Sequence, residues 1–191
     1  MNGMINLQIS NEGLARANSA LMSILAETPR AVARAVNRTM DGMRTDAVSE
    51  THKKYFVSAK DVRASISFRK ASAGNLMGAM VSKGKRHSLA DYQLTPSTPK
   101  IGRRTPLKGA VKREGGLKSL GPAFLVNRAG GRYFPFFRTG KGKYDMHSLI
   151  SPSMPQIIKN EETVNVMERG AEERFAKRLD HEVMRLLEAL P

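Results

Sequence analysis

The 191-residue sequence has no cysteine and no tryptophan, and only 6% of its residues are aromatic. Without cysteine there can be no disulfide framework and no thiolate-held metal, a usage compatible with a reducing compartment. No apolar run approaches the roughly 20 residues that span a bilayer, so no membrane partner is expected. The first ten residues, MNGMINLQIS, lack both a basic region and a long apolar stretch. No signal peptide is therefore expected, and the chain should begin its life in the cytoplasm. Acids are scarce only locally: residues 52–143 carry 21 Lys or Arg against three Asp or Glu, whereas the whole chain has 32 against 17. The flanks are close to neutral, so the formal charge of +15 resides in the middle. Such a field attracts polyanions by releasing their condensed counterions, and DNA is the usual one.

A carboxylate pair for hydrolysis or metal binding would have to come from the flanks. There Asp41 and Asp46, or Glu172 and Glu173, read as solvated helix faces. Gly78 to Lys85 misses a phosphate-binding loop: five residues separate the glycines where four are needed, and Arg86 stands where Ser or Thr should bind Mg²⁺. His181-Glu182 opens like a zinc-protease helix, but Arg185 occupies the place of the second His. His52, His87, His147 and His181 are scattered, with no two at ligand spacing. No catalytic residue, cofactor or metal is expected, and the chain does not read as an enzyme. The basic residues show no helix-turn-helix or zinc-finger spacing and no aromatic interleaving. Any DNA contact should be with phosphates, without sequence choice.

What is present centres on Leu120 to Pro155. Phe124, Phe134, Phe136 and Phe137 fall there and Phe175 a little beyond, five of the seven Phe in the chain. Leu125 and Val126 precede Asn127-Arg128-Ala129-Gly130-Gly131, and an aromatic run follows. Two β-favouring segments around Gly-Gly predict a hairpin. Upstream, Leu14, Ala17, Leu21 and Leu25 predict an amphipathic helix over about 10–26, capped by Ser10 or Asn11. Thr28-Pro29 predicts a fresh start, with a second helix over about 29–53 burying Val32, Val36, Met40 and Met43. Ser58 can cap a turn carrying Lys60, Asp61 and Arg63, and strands are expected at about 64–70 and 76–83.

From about 84 to 120 glycines and prolines mix with basic residues, with no clear period beyond a candidate strand at Leu107–Val111. That length without structure is unusual inside a compact domain and predicts a loop-rich, flexible basic arm. Lys83, Lys85, Arg86, Arg103, Arg104, Lys108, Lys112 and Arg113 are its candidate DNA- or partner-facing residues. A closing helix is expected over about 156–190, with Val164, Met167, Phe175, Leu179, Val183 and Leu190 on one face and Arg178–Glu182 as an exposed pair. The predicted core comprises Val32, Val36, Met40, Phe124, Phe136, Phe175, Leu179 and Val183. The fold class is α+β: one domain, with a small antiparallel sheet and central hairpin packed by long N-terminal and C-terminal helices.

Three stretches in order resemble one family. They are RAVARAVNRTMDGMRTDA (Arg30 to Ala47), LGPAFLV (Leu120 to Val126) and FFRTGKGKYDMHSLISPSMPQII (Phe136 to Ile158). Together they resemble the minor tail protein Z family of long-tailed phages and prophages, also described as tail completion proteins. Asp145 departs from the resemblance, because Pro often follows the aromatic at that place. The resemblance implies a non-enzymatic virion component added at the head-proximal end of the tail, made in the host cytoplasm. It implies a homo-oligomeric ring, contact with tail terminator or neck proteins, and a role in assembly and DNA passage. The rival reading is a free, sequence-independent nucleic-acid-binding protein that uses the basic middle.

Overall fold

The computed structural model describes residues 11–99, 106–128 and 130–189. The chain is mixed α and β and divides into two compact units. One comprises the residues up to Asp41, Arg69–Ala79 and those from Ala171 onward; the other comprises Gly42–Phe68 and Met80–Gly170.

The first unit is mostly helix. A single helix α1 (Asn11–Lys54) runs where two helices are expected, and Pro29 lies inside it. Proline removes the amide that would serve the Leu25 carbonyl. Leu25 is 65% exposed, so water can satisfy that carbonyl. Thr28 does not cap a new start; its hydroxyl donates to the Ile24 carbonyl at 2.7 Å. Beyond this point Ala31, Ala33, Ala35 and Met40 are buried, while Val32 and Val36 are half-buried. Asn37 clamps Ala71 by accepting from its amide and donating to its carbonyl, both at 2.9 Å. A Cβ at Gly78 would lie 2.7 Å from the Met40 sulfur and 2.9 Å from Val36 Cγ1, so the chain passes too close for any larger residue without a shift.

The second unit holds the strands. Ser58 accepts from the Asp61 amide at 3.1 Å and caps α2 (Ala59–Ser65), which leads into β1 (Ile66–Arg69), paired with β2 (Ala79–Ser82). The segment expected as a loop-rich arm contains β3 (Arg86–Ser88), a 3₁₀ turn (Leu89–Asp91), β4 (Gln93–Thr95), β5 (Lys108–Ala110) and β6 (Lys118–Ser119). The last three form one antiparallel sheet, and β5 falls within the candidate strand. These strands are two or three residues long, too short to show alternation. Their anchors are single buried side chains, Leu89, Tyr92, Leu107 and Ala110.

The hairpin forms as expected from β7 (Phe124–Arg128) and β8 (Arg132–Arg138), with Phe124 opposite Phe136 and Val126 opposite Phe134. Gly130 and Gly131 take φ of 96° and 73°, the left-handed region that glycine enters without steric cost. β9 (Met146–Ser148) extends the sheet on the far side of β8. Pro135 is tolerated in the middle strand because it faces away from the β7 ladder: its carbonyl accepts from the Leu149 amide at 2.9 Å, and the Leu149 carbonyl, which proline cannot serve, accepts from the Leu89 amide at 3.0 Å. Asp145 closes the preceding turn, its carboxylate accepting from the Gly142 amide at 2.9 Å. β10 (Ile150–Ser153) then pairs antiparallel with β3 through a bulge.

The closing helix is divided. Ser153 and Gln156 form a capping box for α3 (Met154–Ile158), and α4 (Glu161–Glu188) starts afresh. The core of this unit gathers Ala47, Val48, Tyr55, Val57, Val62, Ile66, Leu89, Tyr92, Met154, Ile157, Ile158 and Met167. Of the predicted core, Met40 and Phe136 are buried, and Val32, Val36, Phe124, Phe175 and Leu179 are half-buried. Val183 is instead 45% exposed, because the apolar stripe of α4 loses its cover toward the C-terminus.

Candidate functional site

The candidate basic residues belong to several elements of the second unit. Lys83 and Lys85 lie between β2 and β3, where the Lys83 amide donates to the Ser65 carbonyl at 2.8 Å and leaves the side chain exposed. Arg86 begins β3, Lys108 begins β5, and Lys112 follows β5. Arg103 and Arg104 lie outside the described residues.

The structure brings Arg86 and Lys112 together. Both line a cleft of about 580 Å³ whose apolar wall includes Tyr55, Val111, Ile150 and Ile157. Backbone pairing explains the placement. The Phe56 amide donates to the Val111 carbonyl at 2.9 Å, and the Arg113 amide donates to the Lys54 carbonyl at 2.8 Å, so residues 111–113 run beside the end of α1. Lys112 also lines a second cleft, of about 330 Å³, with Lys53, Lys54, Glu114 and Glu162. There Lys54 meets Glu162 at 2.5 Å. That hydrogen bond, with the Lys54 charge and a smaller contribution from Lys112, holds the Glu162 carboxyl below its ordinary range.

Arg113 is engaged differently. Its Nε donates to the His52 carbonyl at 2.9 Å, and its guanidinium lies 4.7 Å from the centre of the Phe56 ring. A cation on one of the last carbonyls of α1 satisfies an orphan acceptor and opposes the negative end of the helix dipole. His52 supports the same corner by donating from Nδ1 to the Val57 carbonyl at 2.8 Å. Lys83, Lys85, Arg86, Lys108 and Lys112 make no side-chain hydrogen bond or ion pair among the described residues, which leaves their charge available.

One basic surface escaped sequence reasoning. On a single face of the hairpin, Arg128, Arg132 and Arg138 stack over Phe136, Phe134 and Phe124 at 5.4–5.6 Å from the ring centres. Arg132 is held further by Asp91 at 2.6 Å and by the Ala90 carbonyl at 2.9 Å. The aromatic interleaving that the linear pattern lacks therefore exists across the strands. Its signal was the hairpin register, which puts Phe124 opposite Phe136 and Arg128 opposite Arg132. Each stacked pair contributes about 0.5–1 kcal/mol at an exposed site.

The site's chemistry is that of fixed cations on a partly apolar surface. Among the described residues no three His, Asp or Glu side chains gather to hold a metal ion, and no helix is long and apolar enough to cross a membrane. A sequence model described as prophage minor tail protein Z matches residues 12–190, and no match emerged among curated proteins or solved structures. The match spans nearly the whole chain, so the chain belongs to the prophage minor tail protein Z family, a structural family of the phage tail whose partners are other tail components.

Proposed function

We propose that this minor tail protein completes the tail at its head-proximal end, as a ring of copies in which the whole chain works as one domain. The ring makes the tail competent for joining and for DNA passage, and the basic surface of the strand-rich unit faces the phosphates. The observation that carries this reading is the set of cations without a side-chain hydrogen bond or ion pair among the described residues, Lys83, Lys85, Arg86, Lys108 and Lys112, on a member of a tail family. A wall of fixed positive charge near a DNA channel attracts the duplex along its whole length and selects no sequence. Neighbouring copies are supported by apolar side chains left in solvent, among them Leu21, Met22 and Leu25 on α1 and Met184 and Leu187 on α4.

The test is immunogold labelling of particles released from the producing cell. Label at the head-proximal end of tails is expected, and particles without label beside abundant free protein would end the proposal. Charge reversal at Arg86 and Lys112 should then lower DNA delivery while tails still carry the label. Lost incorporation would assign those residues to an acidic neighbour instead.

A further inference from the structure

The helical unit contains a basic cleft that the charge distribution along the sequence does not announce. The segments that build it are near neutral, but folding sorts their charges. Helix α1 presents Arg34, Arg38 and Asp41 at spacings of four and three, and α4 presents Arg178, His181 and Glu182 at three and one; all six line one cleft of about 380 Å³.

Within it the charges are unequally engaged. Glu182 is taken by Arg34, whose Nε and Nη2 lie 2.8 and 2.7 Å from the same carboxylate oxygen. The Glu182 side chain is only 13% exposed, and the hydrogen bond from Arg34 depresses its pKa. Asp41 already has an interaction of its own. Arg38, Arg178 and His181 make no hydrogen bond or ion pair among the described residues, although Arg178 stands at i,i+4 from Glu182. The cleft lining thus carries two arginines and an imidazole that form no hydrogen bond or ion pair among the described residues.

We propose that this cleft binds a phosphate group. The cleft already shows how it accommodates a carboxylate: Arg34 hydrogen-bonds Glu182, and Arg185 adds an ion pair at 3.9 Å from outside the cleft lining. Two further arginines and an imidazole exceed what a second carboxylate needs. They suit an oxyanion of higher charge with several acceptor oxygens, for which arginine offers paired donors in a fixed fork. The phosphate can come from a DNA backbone or from a free phosphate compound. The inference rests on the side chains of the helical unit alone and stands whether or not the chain completes a tail.

The experiment is an amide NMR titration of the full chain in phosphate-free buffer, with inorganic phosphate, acetate, polyglutamate and a short DNA duplex as separate probes. Phosphate is expected to give saturable shifts around Arg38, Arg178 and His181, and acetate at equal concentration is not. In R38A/R178A the phosphate affinity should fall at least tenfold. R38K/R178K keeps the charge and should fall less, which covers the case in which the alanine pair misfolds. If the duplex shifts the same residues and also weakens in the variants, the source is nucleic acid; if inorganic phosphate alone does so, the source is a free phosphate compound. Absence of saturation, equal shifts with acetate, preference for polyglutamate, or unchanged affinity in both variants would each overturn the assignment.

Discussion

In the strand-rich unit, large side chains from α1, α2, α3, α4 and the 3₁₀ turn meet in one buried cluster around Val62 and Ile157. In the helical unit the buried positions are mainly alanines, while Leu21, Leu25, Met184 and Leu187 are at least half exposed. The difference concerns where stability originates. Apolar area removed from water stabilises in proportion to its size, so the strand-rich unit can hold itself together by burial. The helical unit leans on close helix contacts, the Asn37 clamp and the Arg34–Glu182 pair, and it leaves apolar surface for something else to cover.

The largest test of that contrast pairs Ile157→Ala with Leu25→Ala. Ile157 is 1% exposed, and its truncation should cost about 3–4 kcal/mol in urea unfolding. Leu25→Ala should stay within about 0.5 kcal/mol in the isolated chain. It should nevertheless weaken self-association, measured by sedimentation. Equal stability costs would erase the distinction between the two units.

Next in size is Asn37→Ala. Loss of two hydrogen bonds to the Ala71 backbone should cost about 2 kcal/mol and speed amide exchange at Ala71. A cost near zero would mean that water replaces the clamp. Smaller again is Tyr92→Phe, which removes the hydroxyl donated to the Pro152 carbonyl at 3.1 Å. About 1 kcal/mol is expected in the same unfolding assay, with the cluster still packed. A larger loss would show that the strand-rich unit relies on polar contacts as much as its partner does.

The same contrast explains what was legible beforehand. The hairpin could be read because Gly-Gly between aromatic strands has one local meaning, and the long helices because their period repeats over many turns. Pro29 misleads, because the one carbonyl that loses its amide donor belongs to the exposed Leu25, where the loss is cheap enough for the helix to continue. Strands β3 to β6 are hidden by their brevity, although Leu107–Val111 reads as a candidate strand. Of the basic candidates, sequence position could name Arg86 and Lys112 but not the cleft they share. It could not foresee that Arg113 would be absorbed by the end of α1. The Arg38–Arg178–His181 cleft was invisible for a related reason: charge counted along the chain cancels between neighbours that folding separates.

The smallest effect compares two ion pairs, one in each unit. Glu182 has its pKa lowered chiefly by the hydrogen bond from Arg34, against opposing burial, with the charges of Arg34, Arg185 and His181 assisting. A carboxyl depressed in the folded state binds protons more readily when unfolded. Its stabilisation is therefore complete above the ordinary carboxylate range and is lost as pH falls through that range toward the depressed value. Glu162 follows the same rule through Lys54, but its side chain is 77% exposed and screened by water. Melting temperatures measured from neutral pH downward should fall less steeply for Glu182→Gln than for the wild type. Glu162→Gln should change the slope less and lose its effect in high salt. If Glu162→Gln flattened the profile more, ionic fastening would matter most in the strand-rich unit, and the helical unit would have to be held by its alanine contacts and the Asn37 clamp.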